Sequence, residues 1–439
     1  MNYRTLLRGP LLHFIKDPGD SDTPLADSTE YIEDALIAVS HAGHIAYCGE
    51  AGPFMATLDK DAVIEHYPDH LMMPGFIDAH VHFAQLGIIA SYGRQLLDWL
   101  NNYTFPEETR FSEQAYAERV AHSFIKELLR HGTTSAMVFA TSHAHSIDAL
   151  FKAGAEHNMR LLTGKMLMDR NAPAALLDTA EEGIAESRRL LERWHGTQRL
   201  EYVVSPRFAP TSSAQQLEAA GRFMADYPGV RMQTHLSENH AEIDWVAELY
   251  PDADDYLDVY ARAGLLREGS YFGHGIHIDD SVRRRIREAG AGITVCPTSN
   301  LFLGSGLFDW QAAREQQTPI ALGTDIGAGT SLSQLQTLQD TYKLCQLRNM
   351  SLSPWQAFYQ LTLGSATTLR LDHVIGNLTV GKEADIVVLD PAATPAAAAK
   401  TALRDQNLQE QLFNLMLLGD DRSVSATYVM GNCCHRREA

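Results

Sequence analysis

Two histidines two residues apart end a short apolar run in the sequence MPGFIDAHVHFAQ. Alternate residues of a β-strand project to the same face, so His80 and His82 are expected to point the same way. Two neutral imidazoles that project together can bind one divalent ion, and such nitrogen ligands suit zinc or iron. The chain has 19 histidines and a second pair of this spacing at His143 and His145, so the spacing alone is weak support for a metal site.

Further polar residues follow other apolar runs of the chain. His235 and Glu238 follow one run, His274 follows the next, and Asp325 lies in the segment GTDIGAG. Each has an ordinary structural explanation, because an isolated histidine is usually a hydrogen-bonded core residue. Their joint position at the ends of inferred strands favours one shared site, since barrel enzymes place their chemistry at the carboxyl ends of the strands.

The middle of the chain alternates between β-rich apolar runs and amphipathic segments such as 112–130, 178–194 and 239–250. Eight such units over about 300 residues predict an α/β fold of the (β/α)8 TIM-barrel type. A doubly wound open sheet has the same alternation and stays as the alternative. The eight predicted strands cover residues 75–82, 133–140, 160–168, 202–207, 231–235, 271–277, 292–297 and 320–325.

Both ends of the chain favour β-structure. Residues 35–50 form two apolar runs around an Ala-Gly turn, which is typical of a hairpin. A similar hairpin pattern returns at residues 375–390, and residues 424–431 offer a last strand. The Ala/Pro-rich stretch 391–402 predicts a surface connection.

We therefore expect a small β-sandwich domain that both chain ends build together. Its N-terminal part is predicted at residues 1–73 and its C-terminal part at residues 373–439. The barrel domain is predicted at residues 74–372.

Composition narrows the classes of partner. The formal charge of −19 and the pI near 5.4 disfavour phosphate backbones and anionic lipid surfaces, so we expect neither nucleic acid nor membrane as a partner. No run approaches the roughly twenty apolar residues of a membrane span, and the N-terminal segment has no secretory pattern. We expect a cytoplasmic protein.

The chain has five cysteines, which is an odd number, and none of them form a Cys-x-x-Cys motif. This argues against a disulfide framework and against a thiolate zinc site.

Several motifs resemble the amidohydrolase superfamily of metal-dependent barrel hydrolases, and within it the guanine deaminases. The superfamily motifs are MPGFIDAHVH, HLSE at 235–238, GHG around His274 and GTD at Asp325. Two departures are Ala79, where threonine is common, and His277, where less polar residues are common. The closer resemblance lies in LLDWLNNYTFPEE (96–108), VFATSHAHS (138–146), SPRFAPTSS (205–213), CPTSNL (296–301) and LGDDRS (418–423).

The resemblance implies one zinc ion per chain, held by His80, His82, His235 and Asp325. A single metal has independent support, because binuclear relatives use a lysine on strand four to bridge two ions, and residues 201–210 contain no lysine. Sequence does not separate zinc from iron at a nitrogen-rich site.

The resemblance also implies the reaction, which is attack of a metal-bound hydroxide on C2 of guanine to give xanthine and ammonia in purine catabolism. Asp325 would accept the proton of the water, and His274 would orient the hydroxide. Glu238 would move protons to the ring and to the leaving ammonia.

Substrate recognition follows from the same resemblance. Gln85 would bind a ring edge, Arg207 the carbonyl oxygen, and Phe208 would pack on the base. The alternative for Arg207 is a surface salt bridge. A homodimer is also implied. The full set of expected substrate contacts is His82, Gln85, Arg207, Phe208, His235, Glu238 and Asp325.

Two other functions remain open from the sequence, and a third possibility is excluded. One is an amidohydrolase that acts on a related aminated heterocycle, such as a triazine, a pterin or another purine. A second, of a different class, is a non-catalytic barrel scaffold. The third is the smaller zinc deaminase design with His-x-Glu and Pro-Cys-x-x-Cys; His240, Ala241 and Glu242 match its first half, but no Pro-Cys-x-x-Cys follows.

Overall fold

The computed structural model describes residues 3–93, 95–404 and 406–438. Its strands are β1 (Thr5–Phe14), β2 (Thr29–Val39), β3 (Ile45–Glu50), β4 (Glu65–His66), β5 (Leu71–Pro74), β6 (Phe76–His82), β7 (Thr133–Phe139), β8 (Arg160–Gly164), β9 (Met166–Leu167), β10 (Leu200–Pro206), β11 (Arg231–Leu236), β12 (Ser270–His274), β13 (Gly292–Val295), β14 (Ile320–Leu322), β15 (Ile386–Leu389), β16 (Val424–Val429) and β17 (Asn432–Arg436).

The α-helices are α1 (Ala51–Met55), α2 (Leu96–Trp99), α3 (Phe105–Thr109), α4 (Gln114–Arg130), α5 (Ala144–Glu156), α6 (Ala180–Trp194), α7 (Ala214–Asp226), α8 (His240–Leu249), α9 (Tyr256–Arg262), α10 (Asp280–Glu288), α11 (Pro297–Phe302), α12 (Trp310–Glu315), α13 (Gln334–Leu347), α14 (Pro354–Tyr359), α15 (Ser365–Thr368), α16 (Pro395–Leu403) and α17 (Leu408–Leu418). Short π-helical turns cover Leu100–Thr104 and Gln360–Gly364, and single 3-10 turns cover Phe83–Ile88, Arg110–Ser112, Ala174–Leu176, Ala209–Thr211 and Asp421–Ser423.

Eight parallel strands form a nearly closed barrel in the order β6, β7, β8, β10, β11, β12, β13, β14, with β9 paired to β10. Backbone hydrogen bonds cross the remaining gap just beyond β14. The Asp325 N–H donates to the His80 carbonyl over 2.8 Å, and the His82 N–H donates to the Ile326 carbonyl over 2.7 Å. The predicted TIM-type barrel is confirmed, and the doubly wound open sheet is wrong.

All eight predicted strands lie within a few residues of observed barrel strands. The reason is burial, because every residue of β6, β7 and β8 is buried, as is every residue of β12 to β14. Parallel strands of a barrel are covered by helices on one side and by the packed interior on the other. Their sequences are therefore continuous apolar runs. The helix predicted over 112–130 is α4, and it ends before Gly132, whose φ of +80° is the left-handed conformation that glycine adopts easily.

The second unit is a mixed sheet in the order β17, β16, β15, β5, β1, β2, β3, with β4 beside β1. The antiparallel pair β5 and β15 joins the two chain ends, with Met72 opposite Val388. The expectation that both ends build one β unit is confirmed. The limits at 1–73, 74–372 and 373–439 stay a prediction.

Three local expectations at the ends need correction. The second hairpin is wrong, because only Ile386–Leu389 of residues 375–390 is a strand, while Ile375 and Leu378 pack into hydrophobic clusters. The stretch 391–402 is largely helix α16, since Thr394 caps it by accepting the Ala397 N–H (3.2 Å) and alanines favour the helix. Beyond β16 the chain also forms β17, which pairs with it.

No helix in the described part of the chain has the length and apolar character needed to cross a lipid bilayer.

Buried ion pairs join the barrel to the C-terminal part of the sheet unit. Arg199, just before β10, bonds both Asp385 oxygens over 3.0 and 2.5 Å and approaches Glu383 within 2.7 Å. Arg160, at the start of β8, bonds Glu383 over 2.5 and 3.2 Å. All four residues are buried. These pairs lie at the amino ends of the barrel strands, opposite to the end that carries the histidines.

We expect Arg199→Ala to lower the free energy of unfolding by roughly 3–5 kcal/mol, because it leaves the buried Asp385 carboxylate without its arginine partner, while Glu383 keeps Arg160. The measurement is the urea midpoint of purified protein. The control Arg222→Ala removes an exposed arginine whose partner Glu218 is also exposed, so its effect should be far smaller. Equal shifts in the two variants would contradict a structural role for the buried network.

Candidate active site

Five predicted site residues meet at the carboxyl end of the barrel. His80 and His82 lie on β6, His235 on β11, His274 at the end of β12, and Asp325 three residues after β14. His274 and Asp325 have φ values of +68° and +53°, a conformation that non-glycine residues seldom adopt. Such strained backbone is common where side chains must be aimed at a ligand.

Four of these residues bring one ligand atom each to a common point. The ligand atoms of His80, His82, His235 and Asp325 all lie within 4.8 Å of one another. Asp325 Oδ1 is 3.4 Å from His80 Nε2 and 3.3 Å from His82 Nε2. The Nε2 atoms of His82 and His235 are 3.3 Å apart. Three nitrogens and one carboxylate oxygen are the donor set of a catalytic zinc site.

Hydrogen bonds at the far ring nitrogens orient two of the imidazoles. His235 Nδ1 donates to the Arg207 carbonyl over 2.6 Å, and His80 Nδ1 lies 3.2 Å from Thr294 Oγ1. A proton on Nδ1 leaves the Nε2 lone pair free for a cation. The buried His80 Nε2 has no hydrogen-bond partner among the residues that the structure describes, which fits a site that holds a metal ion.

The protein environment keeps the three histidines and Asp325 in the protonation states that bind a metal ion. Burial lowers the pKa of His80, takes the pKa of His235 well below its usual value and lowers the pKa of His82 to about 4, so the three imidazoles are neutral at pH 7. Burial alone would raise the pKa of Asp325, but the neighbouring His80 and His82 outweigh it and hold that pKa well below its usual range. Neutral imidazoles and an ionised carboxylate are what a divalent ion binds.

A second grouping replaces two of these ligands by His274 and Cys296. Burial raises the pKa of the Cys296 thiol well above its usual value, so the thiol keeps its proton and is a poor ligand. The set with three histidines and Asp325 therefore fits a metal better.

Two glycines make room for His80. A Cβ at Gly273 on β12 would lie 2.5 Å from His80 Cε1, and a Cβ at Gly323, just after β14, would lie 2.5 Å from His80 Cβ. The glycines of the GHG and GTD motifs therefore leave space for the ring and for the Cβ of the same histidine.

Asp78 is a buried residue that the sequence did not reveal as part of the site. Its carboxylate accepts from the Thr324 N–H (3.0 Å) and from the Thr324 hydroxyl (2.6 Å). It thus connects β6 to the residue that precedes Asp325. Burial raises the pKa of Asp78 to about 6.

Glu238 and His274 face each other beside the four ligand atoms. His274 Nε2 is 3.4 Å from Glu238 Oε2 and 3.7 Å from Asp325 Oδ2. The Ser305 hydroxyl donates to Glu238 Oε1 over 2.9 Å, so Oε2 is the oxygen that is available to exchange a proton with a substrate. Burial, and then the charge of Asp325, raise the pKa of Glu238 to about 8. Such a group can hold and release a proton near neutral pH.

Glu242 holds the backbone of the Glu238 loop. Its Oε2 accepts the N–H groups of Glu238 (2.9 Å) and Asn239 (3.1 Å), and its Oε1 accepts from the Tyr256 hydroxyl (2.7 Å). The His240-Ala241-Glu242 match is therefore a helix cap at the amino end of α8, not half of the smaller zinc deaminase design. Glu242 also lines the pocket.

The predicted purine contacts surround the same pocket. Gln85, Arg207 and Phe208 line it together with Glu238 and the converging ligands. The alternative of a surface salt bridge for Arg207 is wrong, because its side chain is 3% exposed and pairs with the fully buried Glu108. The lining residues are His82, Gln85, Leu96, Trp99, Leu100, Arg207, Phe208, His235, Glu238, Glu242, His274, Asp325 and Ala328.

Some residues of the site had only an indirect signal in the sequence. Trp99, Glu108 and Asn300 belong to quoted motifs, and Asn300 Oδ1 lies 2.8 Å from His274 Nδ1. Ser305 had no such signal. The second His-x-His pair is not at the site, because His145 Nε2 bonds the Phe111 carbonyl over 2.7 Å.

Comparison with known proteins gives full-length matches. Residues 71–434 match the Amidohydrolase family. The chain is 45% identical over 418 residues to guanine deaminase of Escherichia coli (strain K12), which covers 95% of each chain. It is 35% identical to the probable guanine deaminase of Deinococcus radiodurans over 99% of each chain.

Solved structures agree with these sequence matches. The structure of E. coli guanine deaminase superposes with a TM-score of 0.95 at 44% identity and covers 99% of this chain and 100% of that one. The guanine deaminase of C. acetobutylicum with bound guanine in the active site gives a TM-score of 0.87 at 27% identity, over 98% and 99%. The chain belongs to the amidohydrolase family and, within it, to the guanine deaminases.

Proposed function

We propose that the protein catalyses the hydrolytic deamination of guanine, in which guanine and water give xanthine and ammonia. One observation carries the proposal. The purine contacts Gln85, Arg207 and Phe208 line the same pocket as Glu238 and the four converging ligand atoms. The structure of a full-length relative from C. acetobutylicum holds guanine in its active site.

We propose one zinc ion per chain, held by His80, His82, His235 and Asp325, with iron as the other metal that this donor set suits. A bound ion of this kind lowers the pKa of a water and so supplies a nucleophile at neutral pH.

Side chains of the site accept and donate the protons that the reaction moves. Asp325 is placed to accept the proton of the attacking water, and His274 to hold the nucleophile in line with C2. Glu238 delivers a proton to N3 as the oxygen adds to C2 and then transfers the hydroxyl proton to the amino group, which leaves as ammonia. The proton that Asp325 accepted from the water then returns to Glu238, which restores both groups. The proton that Glu238 carries is favoured by its burial and its neighbour Asp325.

Selectivity for guanine is assigned to Arg207. A guanidinium can only donate hydrogen bonds, so it suits the O6 acceptor of guanine and not the amino group of adenine. A buried donor without an acceptor is costly, which penalises the wrong base. Phe208 supplies an apolar surface for the ring, and Gln85 a polar contact to its edge.

The alternative functions have less support than guanine deamination. Triazine hydrolases superpose at only 18% identity, which shows the shared fold alone. A non-catalytic scaffold would have no need for a buried Glu238 beside converging ligand atoms. From the family resemblance we also infer a cytoplasmic homodimer that acts in purine catabolism.

Purified protein should release ammonia from guanine and not from adenine, cytosine or a triazine, with about one metal ion per chain. Ammonia release and elemental analysis of the same preparation provide the measurement. Metal-loaded protein that leaves guanine intact would contradict the assigned purine pocket while leaving the hydrolase family intact.

Glu238→Gln should keep the metal and lose nearly all turnover, because an amide can neither accept nor donate the transferred proton. The control Glu248→Gln changes an exposed glutamate near the end of α8 and should turn over guanine like the unmodified protein. A Glu238→Gln rate above about a tenth of normal would remove Glu238 from proton transfer.

A further inference from the structure

Glu108, on α3, is a fully buried carboxylate just behind the purine pocket. It is not among the residues that line the pocket. Arg207 Nη1 donates to both of its oxygens, over 2.9 Å to Oε1 and 2.7 Å to Oε2. Gln85 Nε2 donates to Oε1 over 3.2 Å. One acid therefore contacts both polar side chains assigned to the purine.

The remaining contacts fix the direction of these two side chains. Gln85 Oε1 accepts the Gly327 N–H over 3.1 Å, so its amide nitrogen must face Glu108. The Arg207 guanidinium lies 5.4 Å from the centre of the Phe105 ring, and its Nη1 is 2.9 Å from Met166 Sδ. Glu108 thus connects α3 to residues that follow β6 and β10.

The charge of Glu108 has a separate effect. Arg207 is buried, where a positive charge is little screened and acts strongly on a ligand. Glu108 cancels that charge at a distance of 2.7 Å. The substrate guanine is neutral near pH 7, whereas xanthine loses a ring proton close to neutral pH and becomes an anion. An uncompensated guanidinium would hold the anionic product more tightly than the neutral substrate.

We propose that Glu108 is a positioning residue that aims Arg207 and Gln85 at the purine and, by cancelling the charge of Arg207, keeps the pocket from retaining the xanthine anion. This inference rests on the proposed deamination of guanine. The Glu108 carboxylate thus has two separate roles. It orients the side chains of Arg207 and Gln85, and it neutralises the charge of Arg207.

The test uses Glu108→Gln, which keeps the side-chain shape and removes the charge. Xanthine binding to metal-loaded protein is measured by calorimetry at about pH 6, where xanthine is neutral, and at about pH 8.5, where it is an anion. We expect the variant to bind xanthine about tenfold more tightly than the unmodified protein at the higher pH only. The other titratable groups that face the ligand are shared by both proteins, so their effect cancels in the comparison; they are His82, His235, Glu238, Glu242, His274 and Asp325.

The matched control is Glu107→Gln. Glu107 is the preceding residue of α3 and is also buried, but its carboxylate bonds Arg110 and Tyr116 instead of the pocket residues. Its xanthine affinity should follow the unmodified protein at both pH values. An equal change at the two pH values in Glu108→Gln, or the same change in Glu107→Gln, would overturn the charge role.

Glu108→Asp tests whether Glu108 orients Arg207 and Gln85. It also keeps the proposal testable if the Glu108→Gln variant does not fold. It keeps the charge but is one methylene shorter, so it cannot reach Arg207 and Gln85 together. We expect kcat/KM for guanine to fall about tenfold with the pH dependence of xanthine binding unchanged. Normal kcat/KM in this variant would overturn the positioning role. Unmodified protein that leaves guanine intact would instead remove the proposed function.

Discussion

The candidate metal site depends on the close approach of four donor atoms, which all lie within 4.8 Å of one another. His82 and His235 bring their Nε2 atoms within 3.3 Å, and in the described part of the chain no hydrogen-bond partner faces the buried His80 Nε2. Burial keeps the imidazoles neutral, so their ring nitrogens stay available as ligands. The surrounding structure holds this arrangement, because Gly273 and Gly323 leave space for His80 and the Arg207 carbonyl orients the His235 ring.

Much of the fold and most of the ligand set could be predicted from the sequence, because both follow local rules. Buried parallel strands read as apolar runs, and polar residues at their carboxyl ends meet at one face of a barrel. The positions of His80, His82, His235 and Asp325 at the strand ends could therefore be predicted, whereas their selection as metal ligands came from the family resemblance and stays a prediction. The helix α16 was missed because an Ala/Pro composition fits both a connection and a capped helix.

The rest could not be predicted, because it consists of pairs far apart in the chain. Glu108 and Arg207 are separated by 99 residues, and Arg199 and Asp385 by 186. Each member alone looks like a surface charge, and only the fold shows that it is buried and paired. Ser305, which orients Glu238, likewise had no sequence signal, since a serine in a loop is ordinary.

The pairing of β5 with β15 also bears on how the protein is made. During synthesis β1 to β5 leave the ribosome first, yet β5 finds its partner only after some three hundred further residues have been added. Until then one edge of the early sheet is unpaired, and unpaired edges invite aggregation. The barrel in between has mostly neighbouring pairings and can form first. The sheet unit is therefore expected to complete its folding after the barrel, and it is most prone to aggregate in the stage before β5 and β15 pair.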